Sequence, residues 1–420
     1  MEPFWHERNG ATLTVGTPSV YRSDTTSGDN GGVKVALVAE SFLPHSNGVT
    51  NSLLRVIEHL AERGDEAIVI APESKGSHGP VRYGIATITR LPAMGLPRYD
   101  DVRLALSGVG RISRILEEFE PDVVHLASPF VLGWTAVKAC NELGLPCVAI
   151  YQTEVPSYAD RYNIGWGEPI MWNRVRNIHD RADLTLAPST YAISQLEKLG
   201  VERVKLWPRG VDAARFHPSK RNAEFRAKYA PAGEVIVGYV GRLAKEKQVE
   251  DLGRLSQIDG ISVVIVGEGP AHQKLAALLP QAHFVGFLGG EELATAYASM
   301  DIFVHTGELE TFGQTIQEAL ASGLPVIAPR RGGPIDLVDH GDTGFLYTPG
   351  DLDQMAAHVR DLVDHADTRA QFSAKARLSI EGRTWAKVCD ALISHYQQAI
   401  RDHESLPLRP WDIVDDEVVG

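Results

Sequence analysis

Short apolar, β-branched runs alternate with amphipathic stretches along most of this chain. Val33–Ala39 is a continuous apolar run. Thr50–Arg63 then carries apolar residues at helical spacing and stops at Gly64, and a second apolar run lies within Asp65–Ala71. The same alternation returns in PDVVHLASPF, VAIYQT and ADLTLAPSTYAISQLEKLG, and later in Glu234–Val240, ISVVIVGEGP and DIFVH. Runs this continuous suit strands covered on both faces. Strand–helix–strand repeats predict βαβ units, whose right-handed crossovers build parallel sheets. The fold class expected is therefore α/β.

The most informative stretch is Asp301–Gly333. DIFVH predicts a buried strand, GELETFG a turn-rich loop, QTIQEALAS a short helix ended by Gly323 with Pro325 beyond, and LPVIAP the next parallel strand. Gly313, Gln314 and Thr315 fall at the helix start, where unpaired N–H groups and the positive dipole end favour a phosphate. Glu318 lies about one turn further in, where a carboxylate accepts two hydrogen bonds from a vicinal diol such as a ribose. Glu310, in the loop, is free to face a second polyol such as a hexose. Two Glu eight apart are unremarkable on an amphipathic helix taken alone. This pair, however, brackets Phe312-Gly313 at a strand-to-helix switch, where open α/β sheets bind ligands. Anion, diol and second diol together describe a nucleotide sugar.

On Glu310-Thr-Phe312-Gly313…Glu318 the chain resembles the retaining glycosyltransferases of family 4 (GT4), which share the GT-B fold. The resemblance runs from about Val33 to about Ile400. It implies two Rossmann-like domains facing across a cleft: an acceptor domain over 33–212, a nucleotide-sugar domain over 213–383, and a helix over 384–403 crossing back to the first. WPRGVDAARFHP resembles the family's interdomain crossover, with Gly210, Val211 and Asp212 at the hinge. Arg242 and Lys247 match the family's Gly-Arg, four residues, Lys pattern, which implies a grip on the leaving diphosphate. A guanidinium fork and a mobile ammonium suit that group. Gly48 matches a family glycine facing the diphosphate, Phe287-Leu288 the place where relatives clasp the base through main-chain groups, and Gly332-Gly333-Pro334 a loop lining the sugar pocket. Gly267, in a GxG after a strand, suggests close backbone approach to the nucleotide. His125 ends a buried strand. Relatives carry a second histidine two positions on, but this chain has Ala127 there, so His125 stays open between a catalytic and a core role.

Composition narrows the partners. Among 420 residues, 44% are apolar and 23% charged, and the net charge of −13 argues against nucleic-acid binding. Cys140, Cys147 and Cys389 show no metal or disulfide spacing, which suits a reducing cytoplasm. No DxD-type acidic pair stands in a suitable loop, so neither a metal nor a cofactor is expected. No apolar run is long enough to span a bilayer, and residues 1–32 and 404–420 read as tails. Gln152, Glu154 and Tyr158 follow a strand end and are candidate acceptor contacts. Trp166, Trp172, Val175 and Ile178 interleave with Arg161, Arg174, Arg176 and Arg181, either packing on the sheet or lying peripherally on an anionic inner membrane face. Arg98, Arg103, Arg111 and Arg114 add basic character. NGVTNSLLRV and HTGELETFGQTIQEALASG look most like bacterial GDP-mannose-dependent α-mannosyltransferases. The function expected is retaining, metal-independent transfer of mannose from GDP-mannose to a glycolipid bearing glucuronosyl or inositol. The alternatives are a UDP-sugar-dependent glycolipid glycosyltransferase (sulfoquinovosyl or glucosyl) and a nucleotide-sugar 2-epimerase.

Overall fold

The computed structural model describes residues 32–45, 47–74, 79–96, 99–128, 130–152 and 168–405, with the side chains of 96, 99–102 and 168–170 excepted. The expectations for residues 1–31, Arg98, Glu154, Tyr158, Arg161, Trp166 and the segment 406–420 lie outside the described residues. From Val33 onward the chain makes one compact unit, which contains two large sheets.

The first sheet has eight strands, in the order Val204–Leu206, Leu184–Ala187, Cys147–Ile150, Val123–Leu126, Lys34–Val38, Glu66–Pro72, Ala86–Leu91 and Arg82–Tyr83. All neighbours are parallel except the last pair. The second sheet has six parallel strands, ordered His283–Gly286, Ile261–Val266, Val235–Val240, Ile302–Val304, Val326–Pro329 and Gly344–Tyr347. Each sheet is sandwiched between two apolar layers. Alternate residues of one strand enter opposite layers: Val123 and Ala127 join one core, Val124 and Leu126 the other. Both sheets reverse their strand order at a central strand, Lys34–Val38 or Val235–Val240, and ligands of doubly wound sheets settle beyond the carboxyl ends at such points.

The helix after the first strand begins at Gly48, two residues before the apolar periodicity predicts. The cause is Asn47, whose side-chain oxygen accepts from the N–H groups of Val49 and Thr50. At the other end Gly64 closes the helix in a left-handed conformation, φ 79°. The last helix, Trp385–His403, buries Val388, Cys389, Leu392, Ile393, Tyr396 and Ala399 in the core of the first sheet, although the second sheet precedes it in sequence. The two chain crossings run side by side: Val211 bridges Thr384, and Val211 N–H donates to the Arg383 carbonyl at 2.9 Å. Gly210 has no room for a side chain there, since a Cβ would lie 2.5 Å from the Trp385 Cα.

In the helix Glu168–Arg181, Val175 and Ile178 are buried and Trp172 packs beside Val175. The guanidinium of Arg174 lies 4.4 Å from the centre of the Trp134 ring. Packing thus engages Trp172, Val175 and Ile178 of this segment. No described helix is long and apolar enough to cross a membrane.

Candidate active site

A cavity of about 600 Å³ lies where the carboxyl ends of the two sheets meet. One wall comes from the second sheet and its loops: Gly241, Arg242, Lys247, His305, Glu310, Thr311, Phe312, Gly313, Gln314 and Thr315. The other comes from the first sheet and the crossover, including Glu40, Asn47, Gly48, Arg103, Phe130, Gln152 and Arg209. Of the residues singled out in the sequence, Gly48, Arg103, Gln152, Arg242, Lys247, Glu310, Phe312, Gly313, Gln314 and Thr315 line this one space.

Lys247 Nζ donates to Glu310 Oε2 at 2.7 Å, and the two side chains are only 25% and 19% exposed. Burial alone would raise the Glu310 carboxyl. Lys247, His305 and Arg209 outweigh it and bring the group down to about 2. His305 Nε2 is 3.9 Å from Glu310 Oε2, but burial pulls the imidazole down to about 4, so it is neutral at pH 7. The cations holding Glu310 ionised at neutral pH are therefore Lys247 and Arg209. Arg242 has a more open place, with its side chain 58% exposed and 3.8 Å from Glu246.

Glycines shape the loops behind these side chains. Gly313 precedes the helix Gln314–Ala321 with φ 101°, a conformation that frees its N-terminal N–H groups toward the cavity wall. Gly332 and Gly333 back the Glu310 loop: Cβ atoms there would sit 2.3 Å from the Glu310 carbonyl and 2.1 Å from that of Phe312. Gly333 N–H donates to the Glu310 carbonyl at 2.7 Å. This turn supports the loop from behind and is not among the lining residues. Gly267 and Gly269 do the same for the cationic loop. A Cβ on Gly267 would meet the Gly241 carbonyl at 2.0 Å, and one on Gly269 the Leu243 carbonyl at 2.3 Å.

Besides the Gly332-Gly333-Pro334 turn, five expected site residues lie outside the lining. Gly267 is the backing residue just described. Phe287 is 70% exposed on the surface, and Leu288 packs against the second lobe's core. Glu318 sits a turn behind Gln314, where Tyr297 Oη donates to its Oε2 at 3.2 Å. Burial raises its carboxyl to about 7, against hydrogen bonds from Tyr297 and Gln314 and the charge of Arg215. His125 is buried under the last helix, with Nδ1 2.6 Å from Tyr396 Oη and its ring edge-on to Trp207. Burial drives it down to about 3, so it is neutral. Strand alternation turns it into the Val123/Ala127 layer, which the last helix covers.

Among the lining residues that the sequence did not single out, Glu40, His305 and Arg209 carry charge or a titratable ring. Glu40 follows the first strand, and His305 follows Ile302–Val304. The rule that ligands gather beyond the carboxyl ends of strands points to both positions. Arg209 stands in the crossover beside Gly210. Its Nη1 donates to the Gly48 carbonyl at 3.0 Å and its Nη2 to Gln152 Oε1 at 2.9 Å. Its own carbonyl accepts from Gln317 Nε2 at 3.0 Å. Burial lowers this guanidinium to about 10, with Glu310 opposing, and it remains cationic at neutral pH. A lone arginine before a hinge glycine gives no sequence signal for such a bridge.

Residues 46–215 match the family described as Glycosyltransferase Family 4, and residues 220–379 match Glycosyl transferases group 1. A GDP-mannose-dependent alpha-mannosyltransferase from Mycobacterium tuberculosis is 46% identical, over 87% of this chain and 97% of its own length. The chain belongs to the family 4 glycosyltransferases. A second such relative, the GDP-mannose-dependent alpha-mannosyltransferase of Corynebacterium glutamicum, is 43% identical over 90% of this chain and 91% of its own length. Among solved structures, Anabaena HepE in complex with UDP and glucose superposes with a TM-score of 0.70 at 18% identity, covering 87% of this chain and 99% of that one. That likeness establishes the GT-B architecture of this glycosyltransferase.

Proposed function

We propose that this glycosyltransferase moves mannose from GDP-mannose to the sugar or cyclitol headgroup of a glycolipid, with retention of anomeric configuration. The observation that carries the reading is the gathering of Arg242, Lys247, Glu310 and the Gly313–Thr315 helix start around one cavity. The names of the two relatives above supply the donor. Arg242, Lys247 and the helix N-terminus stabilise the departing diphosphate by fixed positive charge, which is worth most in a site closed to water. Glu310, ionised and held by Lys247, accepts hydrogen bonds from the mannose hydroxyls. Glu318, a turn deeper, takes the ribose diol once the side chain or the Gln314 region shifts. Gly48 approaches the diphosphate from the opposite wall. Residues 33–212 form the acceptor domain and 213–383 the donor domain, and they hinge near Asp212 to admit substrates and exclude water.

A glycolipid acceptor requires the protein to meet a bilayer, at the cytoplasmic face of the membrane. The exposed Met94 and Leu106, near the Arg103 that lines the cavity, give that contact an apolar and basic character. The experiment is transfer from GDP-mannose, UDP-glucose and GDP-glucose in turn to glucuronosyl diacylglycerol in detergent micelles, with the product linkage read by NMR. An α-linked mannosyl product from GDP-mannose is expected. Turnover only with the UDP sugar, or a β-linked product, refutes the proposal. Sedimentation with anionic liposomes tests the membrane contact separately, and protein left wholly in the supernatant refutes it.

A further inference from the structure

The first-sheet wall of the cavity contains a carboxylate that the donor chemistry does not use. Glu40 stands two residues past the central strand, and its Oε1 accepts from the N–H groups of Leu132 at 2.6 Å and Gly133 at 3.1 Å. These are the first-turn amides of the helix Val131–Leu143, whose cap position holds Phe130, a residue with no capping group. Capping alone would be met locally by Ser, Asn or Asp at that position. Here a carboxylate is instead brought from another strand end, 92 residues away, and only one of its oxygens is used. Oε2 takes no hydrogen bond from any described residue, although the side chain lines the cavity.

Two neighbours in the same wall are also incomplete. Gln152 is 6% exposed, and Arg209 holds its Oε1, which fixes the amide so that Nε2 is a donor without a partner. Phe130 presents a 37% exposed ring at the cavity's edge. A free acceptor oxygen, a free amide donor and a flat apolar face form a complementary set for a polyol ring, which offers hydroxyls of both senses and a C–H face. An ionised Glu40 disfavours a phosphate in this corner. Burial raises the Glu40 carboxyl to about 7 against its two backbone hydrogen bonds. Its ionised form thus lacks the additional donor that a ligand hydroxyl would bring.

We infer that Glu40 holds the acceptor: Oε2 accepts from a hydroxyl of the acceptor's sugar or cyclitol ring, Gln152 Nε2 donates to a neighbouring one, and the ring lies against Phe130. This inference rests on the transferase reading and adds the residues that choose and position the nucleophile. Opposite walls thereby take opposite roles, Glu310 ordering the transferred sugar and Glu40 the receiving one.

Glu40→Gln tests it, because the amide oxygen keeps the helix cap while Oε2 becomes a donor. With glucuronosyl diacylglycerol in micelles, the acceptor KM is expected to rise at least tenfold. The GDP-mannose KM, the slow acceptor-free hydrolysis of GDP-mannose and the thermal midpoint stay within twofold or two degrees of the parent. An unchanged acceptor KM overturns the inference. So does a parallel rise in both KM values with a lowered midpoint, which would make Glu40 a structural cap only. Saturation-transfer NMR of methyl α-glucoside and methyl α-glucuronide on the GDP-loaded protein decides independently of turnover. Signal in the parent that is lost in Glu40→Gln supports the site, and equal signal or none in either protein overturns it. Parent protein that transfers nothing from GDP-mannose defeats the transferase reading instead, and the NMR result still decides Glu40.

Discussion

Lys247→Ala is the perturbation with the most to say, because the Lys247–Glu310 contact is made before any donor arrives. The pair is 2.7 Å apart and roughly four-fifths buried on the Glu310 side. The carboxyl stands at about 2 where an isolated one stands at 4.5, and a shift of that size corresponds to roughly 3 kcal/mol of preference for the ionised form. That figure is a ceiling. Both side chains keep some solvent contact, Arg209 shares the work, and Glu310 can rotate toward water once its partner is gone. A loss of about 1–2 kcal/mol of stability is the expected remainder, a few degrees at most in a chain of this size. Its pH dependence has a definite sign. A depressed carboxyl contributes stability that is complete above the unfolded value of 4.5 and disappears as pH falls toward 2. The gap between parent and variant should therefore be constant near neutrality and shrink below pH 4.5.

Activity separates a structural pair from a working one. If the ammonium also meets the departing diphosphate, its removal costs about 10²–10³-fold in kcat, the range seen when one preorganised donor is lost. GDP should then give a smaller thermal shift at fixed concentration, and Lys247→Arg should recover part of both. The assay is steady-state mannosyl transfer alongside denaturant unfolding of the same preparations. A variant that is less stable yet keeps its kcat/KM for GDP-mannose would show that Lys247 merely neutralises Glu310, and the donor-side mechanism would have to be abandoned.

Glu318 should make donor affinity pH-dependent. Its carboxyl stands at about 7 in the empty site, facing Tyr297, Gln314 and Arg215, and ribose hydroxyls favour the ionised form. The Kd of GDP-mannose, whose pyrophosphate does not titrate nearby, should weaken about tenfold from pH 8 to pH 6, and Glu318→Gln should flatten the profile; a flat profile in the parent refutes the ribose role. Gly48→Ala places a Cβ 2.9 Å from Arg209 Nη1. That flexible end moves aside at little cost in stability, so a normal unfolding midpoint with turnover reduced about tenfold is expected, and unaltered turnover would remove the Arg209–Gly48 contact from the mechanism. Tyr396→Phe strips the buried His125 of its hydroxyl partner and should cost about 1–3 kcal/mol of stability with kcat within twofold of the parent; a large kcat loss at normal stability would restore His125 to catalysis.

The second-sheet wall of the cavity was legible in the sequence because its residues are set by spacing on contiguous elements. Glu310 and the Gln314 helix start belong to one strand–loop–helix unit, and Arg242 and Lys247 to one loop after a strand. Fixing those elements fixes the side chains, and apolar runs covered on both faces identify the strands directly. His125 shows where that reasoning stops. Being near a strand's end does not decide which layer a side chain enters, and a single step of alternation sends it beneath Tyr396. The opposite wall had little such signature beyond Gly48 and Gln152. Arg209 matters through Gly48 and Gln152, and Glu40 through the amides of Leu132 and Gly133. Each of these contacts is made by tertiary folding between segments whose local patterns are ordinary. Yet Glu40, Gln152, Arg242 and His305 all stand just beyond the carboxyl ends of parallel strands. Topology alone therefore marks the places to search, even where no motif names the residue, and the chemistry on each wall follows from what stands at those ends.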